Sequence, residues 1–124
     1  MAKQARKRKS TGLALGMSTE GDYQRCATRL KALADPERLR IVHCLFHGPK
    51  NVSQLAGELS DEVVKVSHHL GVLRHANVVR TKKQGKFVVY SLDPEIAGGE
   101  TGGDMKTLDL GCCRLDLPKG RTKK

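Results

Sequence analysis

NVSQLAGELSDEVVKVSHHLGVLRHA, residues 51 to 76, is the stretch on which the fold turns. Asn51 suits a helix N-cap, and Gln54 three positions later completes the reciprocal bonding of a capping box. Behind that cap, Val52, Leu55, Ala56 and Leu59 recur at three- and four-residue steps and mark the inner face of a short helix. Ser60-Asp61 supplies a tight turn and can cap a longer helix, expected from Glu62 to about Ala76, with Val66, Leu70 and Leu73 as its buried stripe. A short helix, a tight turn and a longer helix make the helix-turn-helix pattern.

Working upstream from Asp22, the residues Cys26, Ala27, Leu30, Leu33 and Ala34 repeat with helical period. Asp35-Pro36 ends that helix and starts another, because Asp is a good N-cap and Pro loses nothing at the first helical position. This second helix runs to about Phe46, with Leu39, Ile41, Val42, Leu45 and Phe46 apolar, and Gly48-Pro49 stops it. Downstream, VVRTKKQGKFVVYSL, residues 78 to 92, sets two β-branched runs around Gln84-Gly85 and predicts a hairpin. One face is expected to bury Val88, Tyr90 and Leu92, and the other to present Arg80, Lys82, Lys83 and Lys86.

The expected fold is mainly α (α+β). Residues 21–95 form a winged helix-turn-helix with four helices and a β-hairpin wing. Residues 96–106 hold Gly98, Gly99, Gly102 and Gly103 and read as a flexible linker. Residues 107–117, TLDLGCCRLDL, alternate in two opposite phases, which reads as one extra C-terminal strand bulged at Gly111 to Cys113.

The net charge of +10 is unevenly spread. Lys3, Arg6, Lys7, Arg8 and Lys9 at one end, and Lys119, Arg121, Lys123 and Lys124 at the other, have no acid among them. Residues 1–20 read as a disordered basic arm and 118–124 as a basic tail. Such arms attract nucleic acid through counterion release, or they simply solubilise the chain, and composition leaves both open. With no Trp, two Phe and two Tyr, the core must be aliphatic. No apolar run approaches the roughly 18 residues of a membrane span, and the first residues are too short in apolar sequence for a secretory signal. A cytoplasmic location follows as the expectation, with the four cysteines reduced. No phosphate-cradling glycine loop, nucleophile elbow or paired carboxylates are present, so no enzyme is expected.

LKALADPERLRIV (residues 30–42), LAGEL with KVSHHLGVLRHANVV (55–59 and 65–79) and QGKFVVYSL (84–92) occur in that order. Over residues 22–92 the chain resembles the ArsR/SmtB family of metal- and stress-responsive repressors. The resemblance implies a homodimer that binds double-stranded DNA at a palindromic operator and leaves it when an inducer binds or a thiol is modified. The helix geometry agrees: with Val66, Leu70 and Leu73 inward, Ser67 and His68 point outward and Lys65 lies near the helix start. These three are candidate base and phosphate contacts. Ser53 and Gln54 would meet the DNA backbone. Arg80, Lys82, Lys83 and Lys86 would straddle phosphates or enter the minor groove.

Two departures stand out. Where relatives carry a small polar run at the start of the recognition helix, this chain has Glu62-Val63-Val64-Lys65. Valine can touch a thymine methyl but cannot hydrogen-bond a base edge. The terminal helix that builds much of the family's dimer interface also looks absent, which leaves the first helix and the 107–117 strand for that role. The family's Cys-x-Cys sensor pair is missing from VSQLAGEL. What remains is Cys112-Cys113, which suits a soft metal or metalloid ion, or oxidation. A third thiolate would come from Cys26, Cys44 or a partner chain, although Cys26 and Cys44 also fit as small core residues. The alternative for the pair is two small side chains on opposite faces of a strand. His43 and His47 have a spacing that can share a metal but fall on a polar face. The rival to a regulator is the same fold used as a protein-interaction module or a non-specific nucleic-acid binder.

Overall fold

The computed structural model describes residues 20–100 and 105–118. The basic arm up to residue 19, the tail from residue 119 and linker residues 101–104 lie outside the described residues. Helices α1 (Glu20–Leu33), α2 (Pro36–Leu45), α3 (Val52–Leu59) and α4 (Val63–His75) form the helical part. Strands β1 (Lys50–Asn51), β2 (Val79–Gln84) and β3 (Phe87–Leu92) pair in the order β1-β3-β2. This is the expected winged helix-turn-helix.

Local chemistry sets the helix starts. The Asp35 side chain accepts from the backbone N–H of Glu37 at 2.8 Å and of Arg38 at 3.1 Å, with Pro36 entering the helix behind it. The Arg38 and Glu37 N–H bonds hold the Asp35 carboxyl below its ordinary range, so the cap is a carboxylate at neutral pH. At α3 the capping box is complete: Asn51 Oδ1 accepts from Gln54 N, and Gln54 Oε1 accepts from Asn51 N, both at 2.8 Å. Ser60 closes α3 in a left-handed conformation at φ 54°. The expected cap of α4 does not form. Glu62 is its N-cap residue with no side-chain bond, and Asp61 Oδ1 accepts the Glu62 N–H instead.

The core gathers Leu33 from α1, Ile41, Val42 and Leu45 from α2, Leu55 from α3 and Val66, Leu70 and Leu73 from α4. The β2–β3 hairpin turns at Gly85-Lys86, with Gln84 opposite Phe87 and Gly85 at φ 60°. Two expectations for this hairpin need correction. Val88 is exposed, because the ribbon extends past the helices and only its base, at Val79, Tyr90 and Leu92, meets the core. The four basic residues also do not share one face. Side chains alternate along a strand, so Lys83 lies with Thr81 and Val88 on one face, and Arg80 and Lys82 lie on the other.

The C-terminal segment is a sheet of its own. Strands β4 (Ala97–Glu100), β5 (Met105–Asp109) and β6 (Arg114–Pro118) form an antiparallel meander. The 107–117 stretch is therefore a hairpin and not one bulged strand. Its phase reversal is a turn, with Gly111 at φ 101° and the Leu110 N–H donating to Cys113 O at 2.9 Å. Part of the glycine-rich segment is likewise strand, since Ala97 pairs with Leu108. Ile96, Leu108 and Leu110 are fully buried in the common core, so the meander is docked on the helices.

A covalent bond fixes that docking. Cys26 on α1 and Cys112 in the β5–β6 turn form a disulfide, with Cα atoms 5.9 Å apart. The expectation of four reduced cysteines is corrected here. Beside it, Arg29 is only 4% exposed. Its guanidinium donates to Glu95 Oε1 at 2.8 Å and to Leu110 O at 3.5 Å.

The disulfide spans 86 positions of sequence, so it restricts the unfolded chain strongly. Adding a reductant is expected to lower unfolding stability by about 4 kcal/mol, seen as a lower urea midpoint. Peptide mapping without reductant should recover Cys26 and Cys112 in one linked species. Midpoints that coincide with and without reductant would refute the cross-link.

Candidate nucleic-acid interface

Helix α4 has a well-defined inside and outside. Val66, Leu70 and Leu73 are buried. At 3.6 residues per turn the opposite crest carries Val64, His68, Gly71 and His75. Lys65, Ser67 and His68 are all exposed, as expected. The charge of Lys65 is partly spoken for, since its Nζ lies 3.5 Å from Asp61 Oδ1. The bond from the Glu62 N–H, reinforced by Lys65, holds the Asp61 carboxyl below its ordinary range. The start of α4 therefore carries a solvent-exposed ion pair, which a phosphate can compete for.

Behind the crest the contacts are structural. His75 Nδ1 meets the Gly71 carbonyl at 2.8 Å, one turn back. Half-buried His69 meets the Arg38 guanidinium at 3.2 Å and so acts as a packed residue. Ser53 and Gln54 are exposed at the first turn of α3, beside α4. Gln54 uses its carbonyl oxygen in the capping box, which leaves its amide N–H groups for an outside acceptor.

On the wing, Arg80, Lys82, Lys83 and Lys86 are exposed, and none forms an ion pair among the described residues. Lys86 Nζ sits 5.9 Å from the Phe87 ring centroid at the ribbon tip. The base of β2 packs against α4. One helix crest and one cationic ribbon thus leave the same core side by side, the first polar and apolar by turns, the second with charge to spare.

Two features were not foreseen, and a third settles an open choice. Helix α1 has two apolar sides: Cys26 and Leu33 face the core, while Tyr23, Ala27 and Leu30, continued just past the helix end by Ala34, form an exposed row at heptad-like spacing. The sequence holds the signal, since two sets of apolar positions run through one helix. An open groove of about 680 Å³ lies between α1 and α4, with Lys31, Arg38, His68 and His75 around Ala32 and Val72. No local pattern marks it, because its walls come from helices far apart in the chain. The extra thiol, left open between Cys26, Cys44 and a partner chain, is that of Cys26. The sulfur atoms of Cys26, Cys112 and Cys113 lie within 4.8 Å of one another.

Cys44 does not join them. Burial, then the nearby Glu58 carboxylate, push its thiol up to about 11. The rings of His43 and His47 are 5.7 Å apart, edge to face, with no third ligand grouped beside them among the described residues.

The profile described as "Bacterial regulatory protein, arsR family" matches residues 35–81. The transcriptional repressor SdpR of Bacillus subtilis is 32% identical over 66 residues, which is 53% of this chain and 73% of that protein. The HTH-type transcriptional regulator NmtR of Mycobacterium tuberculosis is 44% identical over 66 residues, covering only 55% of its own length. Among solved structures, the homodimeric winged helix-turn-helix DNA-binding domain Mb0332 from Mycobacterium bovis is similar, at a TM-score of 0.57 and 26% identity. That likeness covers 59% of this chain and 68% of the Mycobacterium bovis domain.

The elevated Cys44 thiol gives a direct test. At pH 8 about one Cys44 in a thousand is thiolate, and the fraction grows about tenfold per pH unit towards 11. Alkylation mapped by mass spectrometry should therefore leave Cys44 unlabelled at pH 8 and label it progressively above pH 10. Rapid labelling at pH 8 would show that Glu58 and burial do not protect it.

Proposed function

This chain belongs to the arsR family of bacterial regulatory proteins, and on that premise we propose that it is a DNA-binding transcriptional repressor acting as a homodimer on a palindromic operator. Its relatives are transcriptional regulators, not enzymes. The observation that carries the reading is the pairing of an outward α4 crest with four unpaired wing cations beside it. Ser67 and His68 reach base edges, and the amide of Gln54 and the hydroxyl of Ser53 take phosphate oxygens. Arg80, Lys82, Lys83 and Lys86 neutralise backbone charge from both faces of the ribbon. Lys65, tied to Asp61, contributes less than its position suggests.

The exposed row Tyr23, Ala27 and Leu30 on α1, continued by Ala34, suits a copy of the same helix, packed about a two-fold axis. The similar Mycobacterium bovis domain is homodimeric, which supports the same arrangement here. Dimerisation doubles the DNA contacts and spaces two α4 helices for successive major-groove segments.

The release signal, on this reading, acts at Cys26, Cys112 and Cys113. The three sulfur atoms are grouped within 4.8 Å with Cys26 and Cys112 joined, and reduction would free three neighbouring thiols that suit a soft thiophilic metal or metalloid ion. Oxidised, Cys26 and Cys112 are joined, with two protons and two electrons passing to a peroxide-class oxidant. Either event acts on α1, whose opposite side carries the dimer row, so thiol chemistry is coupled to the separation of the two α4 helices.

The competing reading is non-specific binding through charge, favoured by the absence of a free polar group in the first turn of α4. Two measurements separate them. Against a fixed excess of random duplex at physiological salt, the repressor should prefer a fragment from its own promoter by at least about 10³-fold. Replacing Lys82 or Lys83 with Ala should lower the salt dependence of log K by about one each, without changing the preferred sequence. Equal affinity for promoter and random DNA would leave only the charge reading.

The signal is tested separately. With protein reduced beforehand, arsenite or hydrogen peroxide should release operator DNA from the wild type but not from Cys112→Ser, while Cys44→Ser behaves as wild type. Undiminished release from Cys112→Ser would remove the cysteine site from the mechanism.

A further inference from the structure

The first turn of α4 is where a recognition helix meets base edges, yet it carries almost nothing that hydrogen-bonds. Val64 is 78% exposed, the most exposed large apolar side chain among the described residues, and its neighbour Val63 is 46% exposed. A single exposed valine needs no explanation. Two in succession at the leading end of this helix differ, because Val64 heads the outward crest that continues through His68. Of the polar groups nearby, Asp61 accepts the Glu62 N–H and pairs with Lys65, while the exposed Glu62 carboxylate makes no bond among the described residues. The carboxylates of Asp61 and Glu62 also repel phosphate, so this turn is not drawn to the backbone.

Beside one carboxylate and one paired lysine, what the turn offers DNA is a branched methyl surface, Val64 on the outward crest with the half-exposed Val63 at its flank. Of the groups that normal bases display in the major groove, one is apolar, the C5 methyl of thymine. We propose that Val64, with Val63 beside it, selects thymine methyl groups at the point where α4 enters each half-site, so that sequence is read there by apolar contact and not by hydrogen bonds. The inference rests on the DNA-binding reading and sharpens it. Ser67 and His68 remain the hydrogen-bonding readers one turn further along the helix.

The magnitude follows from burying one methyl group, which changes affinity by roughly fourfold. A palindromic site read twice doubles that in free energy, to roughly fifteenfold. A cytosine at the same position presents only a C5 hydrogen where thymine has its methyl, so the apolar contact is lost there too.

The experiment begins with selection of binding sites from a randomised duplex library by the full chain at physiological salt. Each thymine of the selected half-site is then replaced in turn by deoxyuridine, which pairs identically but lacks the methyl. Affinities are read by fluorescence anisotropy. For the wild type, one symmetric pair of replacements should weaken binding by roughly fifteenfold. Val64→Ala, which keeps a strong helix former at an exposed site, should bind the thymine and deoxyuridine duplexes alike and keep the wild-type salt slope. If wild-type affinity is the same with thymine and deoxyuridine at every position, the inference is overturned while sequence-specific binding stands. If the selection enriches no sequence, both the inference and the regulator reading fail.

Discussion

Everything that faces outward in this protein is aimed by three side chains that face inward. Val66, Leu70 and Leu73 bury the inner stripe of α4 against α2 and α3. Rotating the helix by one position would expose a leucine and bury a charge or an imidazole, at a cost of several kcal/mol. That penalty fixes the azimuth of the helix, and with it the direction of Val64, Ser67 and His68. The wing inherits its placement from the same core, since Val78 and Val79 leave α4 buried and lead straight into β2. Local caps then fix where the helices begin, through Asp35 at α2 and the Asn51–Gln54 pair at α3.

This is also why so much of the fold was legible in the sequence. Period and caps are local properties, and the helix-turn-helix is built from local properties. The capping box, the Asp35-Pro36 restart and the α4 stripe all took the form their residues suggested. The features that escaped reading depend on what an element meets. Alternating valines identify a strand but do not say that the ribbon outruns the core, which is why Val88 is exposed. A reversal of apolar phase at Gly111 fits a bulge or a hairpin equally. Only the docking of Leu108 and Leu110 against the helices decides for the hairpin. Rotation about the axis of α4 directs Lys65, Ser67 and His68 outward, and all three are exposed. Lys83 changed face because adjacent strand residues must diverge, and Lys65 proved to be paired.

The cysteines show the same limit from the chemical side. A vicinal pair in sequence suggests that the two thiols act together. In the structure Cys112 turns to Cys26, 86 positions away, while Cys113 stays free beside them. Spacing along the chain could not reveal that, because the approach is made by a β-turn lying across a helix. The neighbouring Arg29 belongs to the same junction. Its buried guanidinium ties Glu95 and the Leu110 carbonyl to α1, so the meander is held by charge and hydrogen bonds as well as by sulfur. Its Nε is the one buried side-chain polar atom among the described residues without a hydrogen-bond partner.

Strand β6 is the outer member of its sheet, with one row of backbone groups unpaired. Such a row invites another chain to zip on, and indiscriminate stacking would compete with orderly pairing. The strand discourages it: it is five residues long, carries Arg114 and Asp116 on its exposed side, and ends in Pro118, which has no N–H to offer. A short, charged, proline-ended edge thus leaves the open sheet a poor template for a further strand.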